Sequence, residues 1–181
     1  IGALGPKVLN ADGSLQYSCR RFPTLMTGFF NRYSLLSLWF PDNRYTVQYL
    51  MKDYNHDENR EVDWLSGCCI MVPHDVFEKA GGFDEHYFLF NEDIDLCRTI
   101  GQNGFKIMYF PLAKITHHVS TSNCKVPARI IIKRHLGMKY YYGKHHGKNP
   151  LTKIAVNIAI TLRCLYQLAF NTFKETRGAI K

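Results

Sequence analysis

Between residues 62 and 116 the chain switches abruptly between apolar runs and segments closed by glycine or proline, and this limits the fold more than any bulk property. "VDWLSGCCIMV" (62–72) is an apolar run stopped by Pro73, which reads as a buried strand. "HDVFEKAGG" reads as a short helix closed by Gly81 or Gly82. After the aromatic "FDEHYFLF", Asn91 is placed to cap a helix, "EDIDLCRTIGQN", that ends near Gly104. "KIMYF" (106–110) reads as a strand broken at Pro111, and "AKITHHVS" continues extended. Strands alternating with helices predict an α/β fold.

The flanks extend this pattern. "LGPKVLN" and "LQYSCRR" read as two short strands around an Asp12-Gly13 turn, because Asp-Gly supplies positive φ cheaply. Residues 24–40 predict a helix ending before Pro41, and the charge-dense 52–61 predicts a surface loop. From about residue 126 basic and aromatic residues mix. Residues 151–173 then predict a long helix with Lys153, Asn157, Thr161, Arg163, Gln167 and Asn171 on one arc and most apolar residues opposite. Lys153, Arg163 and Lys174 cut this helix into apolar runs well short of the ~20 residues that cross a bilayer. The alternatives are a helix lying in the membrane plane or one packed on protein, including a second copy of the chain.

Charge divides the 181 residues unevenly. Residues 1–95 carry 8 basic and 14 acidic side chains, and residues 96–181 carry 15 basic and 1 acidic. The second half therefore suits a phosphate-rich partner such as a nucleotide, a lipid diphosphate or an anionic bilayer. Six cysteines without a CxxC pair are not a disulfide framework, so a reducing, cytoplasmic compartment is expected.

The acidic cluster in "LFNEDIDLC" (89–97) admits two readings. Acids in a first helical turn are stabilised by the helix dipole and need no further role. A carboxylate at a helix start also points out of the fold, where an ionised Asp can take a proton from an attacking hydroxyl. Asp93 and Asp95 lie about 200° apart around a helix, so they do not readily chelate one ion. Asp93 is then the candidate base, with Glu92 and Asp95 positioning it or the substrate.

The ordered set Trp64-x-Ser66-Gly67, Gly81-Gly82-Phe83-Asp84-Glu85, Phe88-x-x-x-Glu92-Asp93-x-Asp95-Leu96-Cys97 and the strand ending in His117-His118 closely resembles the C-terminal half of family 2 glycosyltransferases. It is most similar to the bacterial rhamnosyltransferase-type members. "YYYGKHHG" (140–147) resembles their tail, and the resemblance spans about residues 1–148. It implies a partial GT-A fold with a mixed sheet, its catalytic half at 1–125, followed by a basic-aromatic segment and an amphipathic helix at 126–181. It implies an inverting transferase moving a sugar, rhamnose by resemblance, from a nucleotide-sugar to a glycan or lipid-linked glycan in cell-surface polysaccharide synthesis.

In that frame Asp93 is the catalytic base, and Trp64, Ser66, Gly67, Glu92 and Asp95 are substrate-binding candidates. His117 is a candidate ligand of a divalent metal, Mn²⁺ or Mg²⁺. For Trp64 the alternative is a core residue. For His117 it is a strand-end histidine bonded to backbone. Residues 1–61 hold no glycine-rich phosphate loop and no D-x-D. The expectation is therefore that the nucleotide-binding half, with its Asp-rich metal motif, lies elsewhere in a longer protein, and that this chain is inactive alone and sits on the inner face of the plasma membrane. Two other classes compete: a non-catalytic membrane-associated scaffold, and a basic-aromatic nucleic-acid-binding module at 125–148, which the acidic first half disfavours.

Overall fold

The computed structural model describes residues 1–24, 27, 40, 42–118, 126–147 and 149–178. The helix expected over 24–40 falls almost wholly outside them. The chain forms two compact units: Ile1–Asp84 with Glu92–Thr121, and Glu85–Asn91 with Ser122–Lys181.

The first unit is built on parallel strands β1 (Ala3–Leu9) and β6 (Ile107–Thr116). The Asp12-Gly13 turn, with Gly13 at φ 82°, folds β2 (Leu15–Gln16) back antiparallel onto β1 as the sequence predicts. The sheet order is β2-β1-β6-β4, with β4 at Arg60–Glu61 antiparallel to β6. A second ladder pairs β3 (Cys19–Arg20) with β5 (Trp64–Leu65). Helices α1 (Arg44–Leu50), α2 (His74–Lys79) and α3 (Glu92–Gln102) complete the unit. Asn43 caps α1 by accepting from the Thr46 amide at 2.9 Å. Apolar side chains of β1, β5, α3 and β6 form the core, among them Val8, Leu65, Ile100 and Tyr109. Gly5 lets β5 approach β1, since a Cβ there would meet Leu65 Cδ2 at 2.7 Å. This mixed α/β arrangement, followed by helices, is the partial GT-A fold that the resemblance implies.

Three local expectations are corrected. Pro111 does not break β6, which runs unbroken over ten residues. The register with β1 jumps from Pro6↔Phe110 to Lys7↔Lys114, so Pro111 sits in a bulge where no ladder donor is needed. The 62–72 run is a strand only at Trp64–Leu65, and Met71 returns as a single bridge to Leu4. The 52–61 segment is not simply surface: Tyr54 and His56 are buried and pack edge-on against Tyr109.

The second unit holds α4 (Ala128–His146) and α5 (Pro150–Gly178), packed on each other. Asn149 starts α5 by accepting from the Leu151 amide at 2.9 Å. Residues 85–91 dock on α4. His86 stacks on Tyr140 at 4.7 Å, and Arg134 lies 4.3 Å from the Phe90 ring centroid. Gly137 explains the approach, because a Cβ there would meet Asn91 Nδ2 at 3.0 Å and Phe90 O at 3.5 Å. The aromatic residues that suggested nucleic-acid stacking are engaged inside the unit, Tyr141 being only 2 % exposed. Part of the polar arc of α5 faces inward: Arg163 contacts Met138, Asn171 donates to Val126 O and Gln167 is buried, while Lys153 and Thr161 are exposed. By length and composition Pro150–Thr172 is long and apolar enough to cross a membrane, which corrects the sequence argument that Lys153, Arg163 and Lys174 leave its apolar runs too short.

Candidate active site

Helix α3 begins at Glu92 directly after two residues in left-handed backbone, Phe90 at φ 66° and Asn91 at φ 73°. A bulky residue such as Phe seldom adopts that region, and such strain is kept where the surroundings impose it. Asn91 thus does not take the extended conformation of an ordinary helix cap, and its Nδ2 is buried without a hydrogen-bond partner among the described residues.

The helix start meets the end of β5. Ser66 continues the β3–β5 ladder by donating its amide to Ser18 O at 2.7 Å. The next amide, Gly67 N–H, donates to Asp93 Oδ2 at 2.9 Å, while Ile94 N–H donates to Oδ1 at 2.9 Å. Both carboxylate oxygens are therefore oriented by backbone, with lone pairs left over. Burial pushes the Asp93 carboxyl above its ordinary range, and the two amides and the Arg20 charge partly oppose this. A base of raised pKa takes a proton more readily than an exposed aspartate.

Arg20 is the residue that sequence reasoning missed. It pairs with Trp64 across the ladder, and its guanidinium lies 5.0 Å from the Trp64 ring centroid and 5.8 Å from that of Tyr49. The available signal was the charged pair in "SCRR", but nothing in the spacing ties position 20 to position 93.

The other candidates separate. Glu92 is half-buried, its Oε2 has no hydrogen-bond partner among the described residues, and burial followed by repulsion from Asp93 raises its pKa. Asp95 is 3 % exposed, so it can affect a substrate only through its neighbours. Trp64 is 4 % exposed, with its indole N–H bonded to Arg21 O at 2.8 Å. Ser66 is half-buried and Gly67 exposed beside Asp93. Cys97, behind Asp93, is buried with its thiol pushed up to about 12, which excludes a nucleophilic role at neutral pH.

His117 lies just past β6. Its amide donates to Leu9 O at 2.9 Å, and its Nδ1 is 2.8 Å from Gln16 Oε1. With that oxygen accepting, Nδ1 carries the proton and Nε2 presents a lone pair, as in a metal-binding histidine. Yet the described residues include no group of three His, Cys, Asp or Glu placed to hold an ion. One imidazole nitrogen is not a donor set for Mn²⁺ or Mg²⁺, so these residues alone do not fit a divalent metal. A cleft of about 440 Å³ opens in the same unit beside Arg21, Tyr49, Tyr54 and Arg60, and Asp93 is not in its lining.

Residues 9–136 match the family profile described as "Glycosyltransferase like family 2". The chain is 35% identical over 145 residues to the N-acetylglucosaminyl-diphospho-decaprenol L-rhamnosyltransferase of Mycobacterium tuberculosis, an alignment covering 80% of this chain and 46% of that protein. It is 36% identical over 62 residues to Rhamnosyltransferase WbbL of Escherichia coli (34% of this chain, 24% of that protein). It is 27% identical over 124 residues to the O-antigen biosynthesis protein RfbC of Myxococcus xanthus (67% of this chain, 9% of that protein). The chain thus spans about half the length of the mycobacterial relative. No solved structure gives a significant match. The profile match over most of the chain, together with the mycobacterial alignment, places this protein in glycosyltransferase family 2.

Proposed function

We propose that this chain is the acceptor-side part of an inverting transferase that moves a sugar, rhamnose by similarity, from a nucleotide-sugar to a glycan or lipid-linked glycan acceptor. The observation that carries the reading is Asp93, half-buried at the start of α3, with each carboxylate oxygen held by a backbone amide. In the reaction, an Asp93 oxygen takes the proton of the acceptor hydroxyl as the hydroxyl oxygen bonds to the anomeric carbon. The bond from that carbon to the diphosphate breaks on the opposite face. Glu92, whose buried Oε2 has no hydrogen-bond partner among the described residues, positions Asp93 or the acceptor, and the exposed Gly67 edge leaves room for the sugar.

Donor binding falls to residues outside the described set. The alignment with the mycobacterial relative, which covers 46% of that protein, supports this. Titration of the isolated chain with a nucleotide-sugar in a calorimeter should accordingly show no tight binding. Micromolar affinity would place the donor site in this chain instead.

The pH profile follows from the sign of the Asp93 shift. The base must be ionised, and its folded pKa lies above the ordinary aspartate value of 3.8. The acid limb of kcat/KM should therefore fall at higher pH than an exposed aspartate gives. The same shift means that ionising Asp93 costs folding stability. That contribution is most favourable below the ordinary aspartate range and is lost as pH rises through the folded pKa. An acid limb at or below the ordinary aspartate value would remove Asp93 from the base role.

A further inference from the structure

Helix α5 is inverted for a helix surrounded by water. Arg163 and Asn171 contact residues of the α4 segment, and Gln167 is 8 % exposed. Leu151, Ile154, Ile158, Leu162 and Leu165 recur at intervals of three and four, forming one stripe, and are between 55 % and 75 % exposed. Most other exposed large apolar residues also lie in this unit, including Phe88, Phe90, Ile132 and Leu136. A contiguous apolar face of this kind marks an interaction surface.

Charge selects the occupant. The unit made of Glu85–Asn91 and Ser122–Lys181 carries 12 Lys and Arg against 2 Asp and Glu. Arg129 and Lys133 are exposed on α4. An apolar stripe on a strongly basic unit is the pattern of an interfacial helix on anionic lipid. The packing on α4 decides between lying and spanning. Helix α4 carries Arg129, Lys133, Arg134, Lys139 and Lys144 within 19 residues, so it cannot follow α5 into hydrocarbon. Inserting α5 without α4 would strip the α4 contacts from Arg163 and place that charge in lipid.

We propose that the apolar face of α5, Leu151 to Leu165, docks in the plane of an anionic bilayer, held there by the basic charge of its own unit. Docking does not depend on the chemistry at Asp93, and its test reads binding alone.

The test is co-sedimentation of the whole chain with vesicles of phosphatidylcholine, with and without phosphatidylglycerol. The wild type should pellet with the mixed vesicles, more weakly with phosphatidylcholine alone, and less as salt rises. Ile158→Asp with Leu162→Asp should lower partitioning roughly tenfold or more. Arg129→Glu with Lys133→Glu should abolish the preference for phosphatidylglycerol and leave the weaker binding to phosphatidylcholine. All four positions are exposed, and circular dichroism should show the helical content unchanged. Wild-type protein left in the supernatant, or pelleting unaffected by the paired Asp substitutions, overturns the proposal. So does a dimer in the ultracentrifuge that those substitutions dissociate, which would give the face to a second copy. Retention through an alkaline carbonate wash would make the helix spanning and overturn the in-plane arrangement.

Discussion

Replacing Asp93 by Asn in a full-length transferase carrying this chain should cut sugar transfer by about 10²–10⁴-fold, the usual contribution of a general base. Donor binding, measured in parallel, should survive. The substitution is nearly isosteric, but an amide cannot take the hydroxyl proton. It also offers one acceptor oxygen where the carboxylate offers two, so either Gly67 N–H or Ile94 N–H loses its partner. That loss costs stability, while removing a half-buried charge whose ionisation burial opposes restores some. These two effects offset, and the variant should fold. Collapse of transfer with donor binding intact identifies the base. Unchanged transfer would leave residues 92–95 as a helix start and return the chain to the scaffold reading.

Tyr109→Ala should destabilise the first unit by about 3–5 kcal/mol, the range for emptying a large aromatic site in a core. Tyr109 is 1 % exposed in the middle of β6 and packs edge-on against Tyr54 and His56. Its hydroxyl donates to His56 O at 3.2 Å. Tyr109→Phe separates the two contributions: it keeps the ring and loses one hydrogen bond, and should cost only about 0.5–1.5 kcal/mol. Urea unfolding followed by circular dichroism measures both. Equal losses for the two variants would mean that the hydroxyl, not the packing, dominates.

The residues differ in how much of their role could be read locally. Gly13, Gly81 and Gly104 all take positive φ, as their places after turns and helices predict, because left-handed backbone is a property of one residue and its neighbours. Helix α3 occupies 92–102 because its apolar positions recur with helical period and Gly104 stops it. The divergence of Asp93 and Asp95 follows from helix geometry alone, and the structure buries Asp95 while leaving Asp93 half-accessible.

Other features needed the folded chain. Pro111 stays within β6 because the partner strand tolerates a bulge there, which no rule about β6 alone reveals. Asn91 has the composition of a cap but not its backbone, because docking of 85–91 on α4 imposes a left-handed turn.

The sequence by itself determined the family, the alternation of strands and helices, and the amphipathic character of α5, since each rests on local order and periodicity. Only the tertiary structure decided which face of α5 is buried, that Arg20 pairs with Trp64 across the ladder, and that the Gly67 amide holds the Asp93 carboxylate. Periodicity says that a helix has two faces but not which one finds a partner, and a contact between positions 67 and 93 exists only once β5 and α3 have packed.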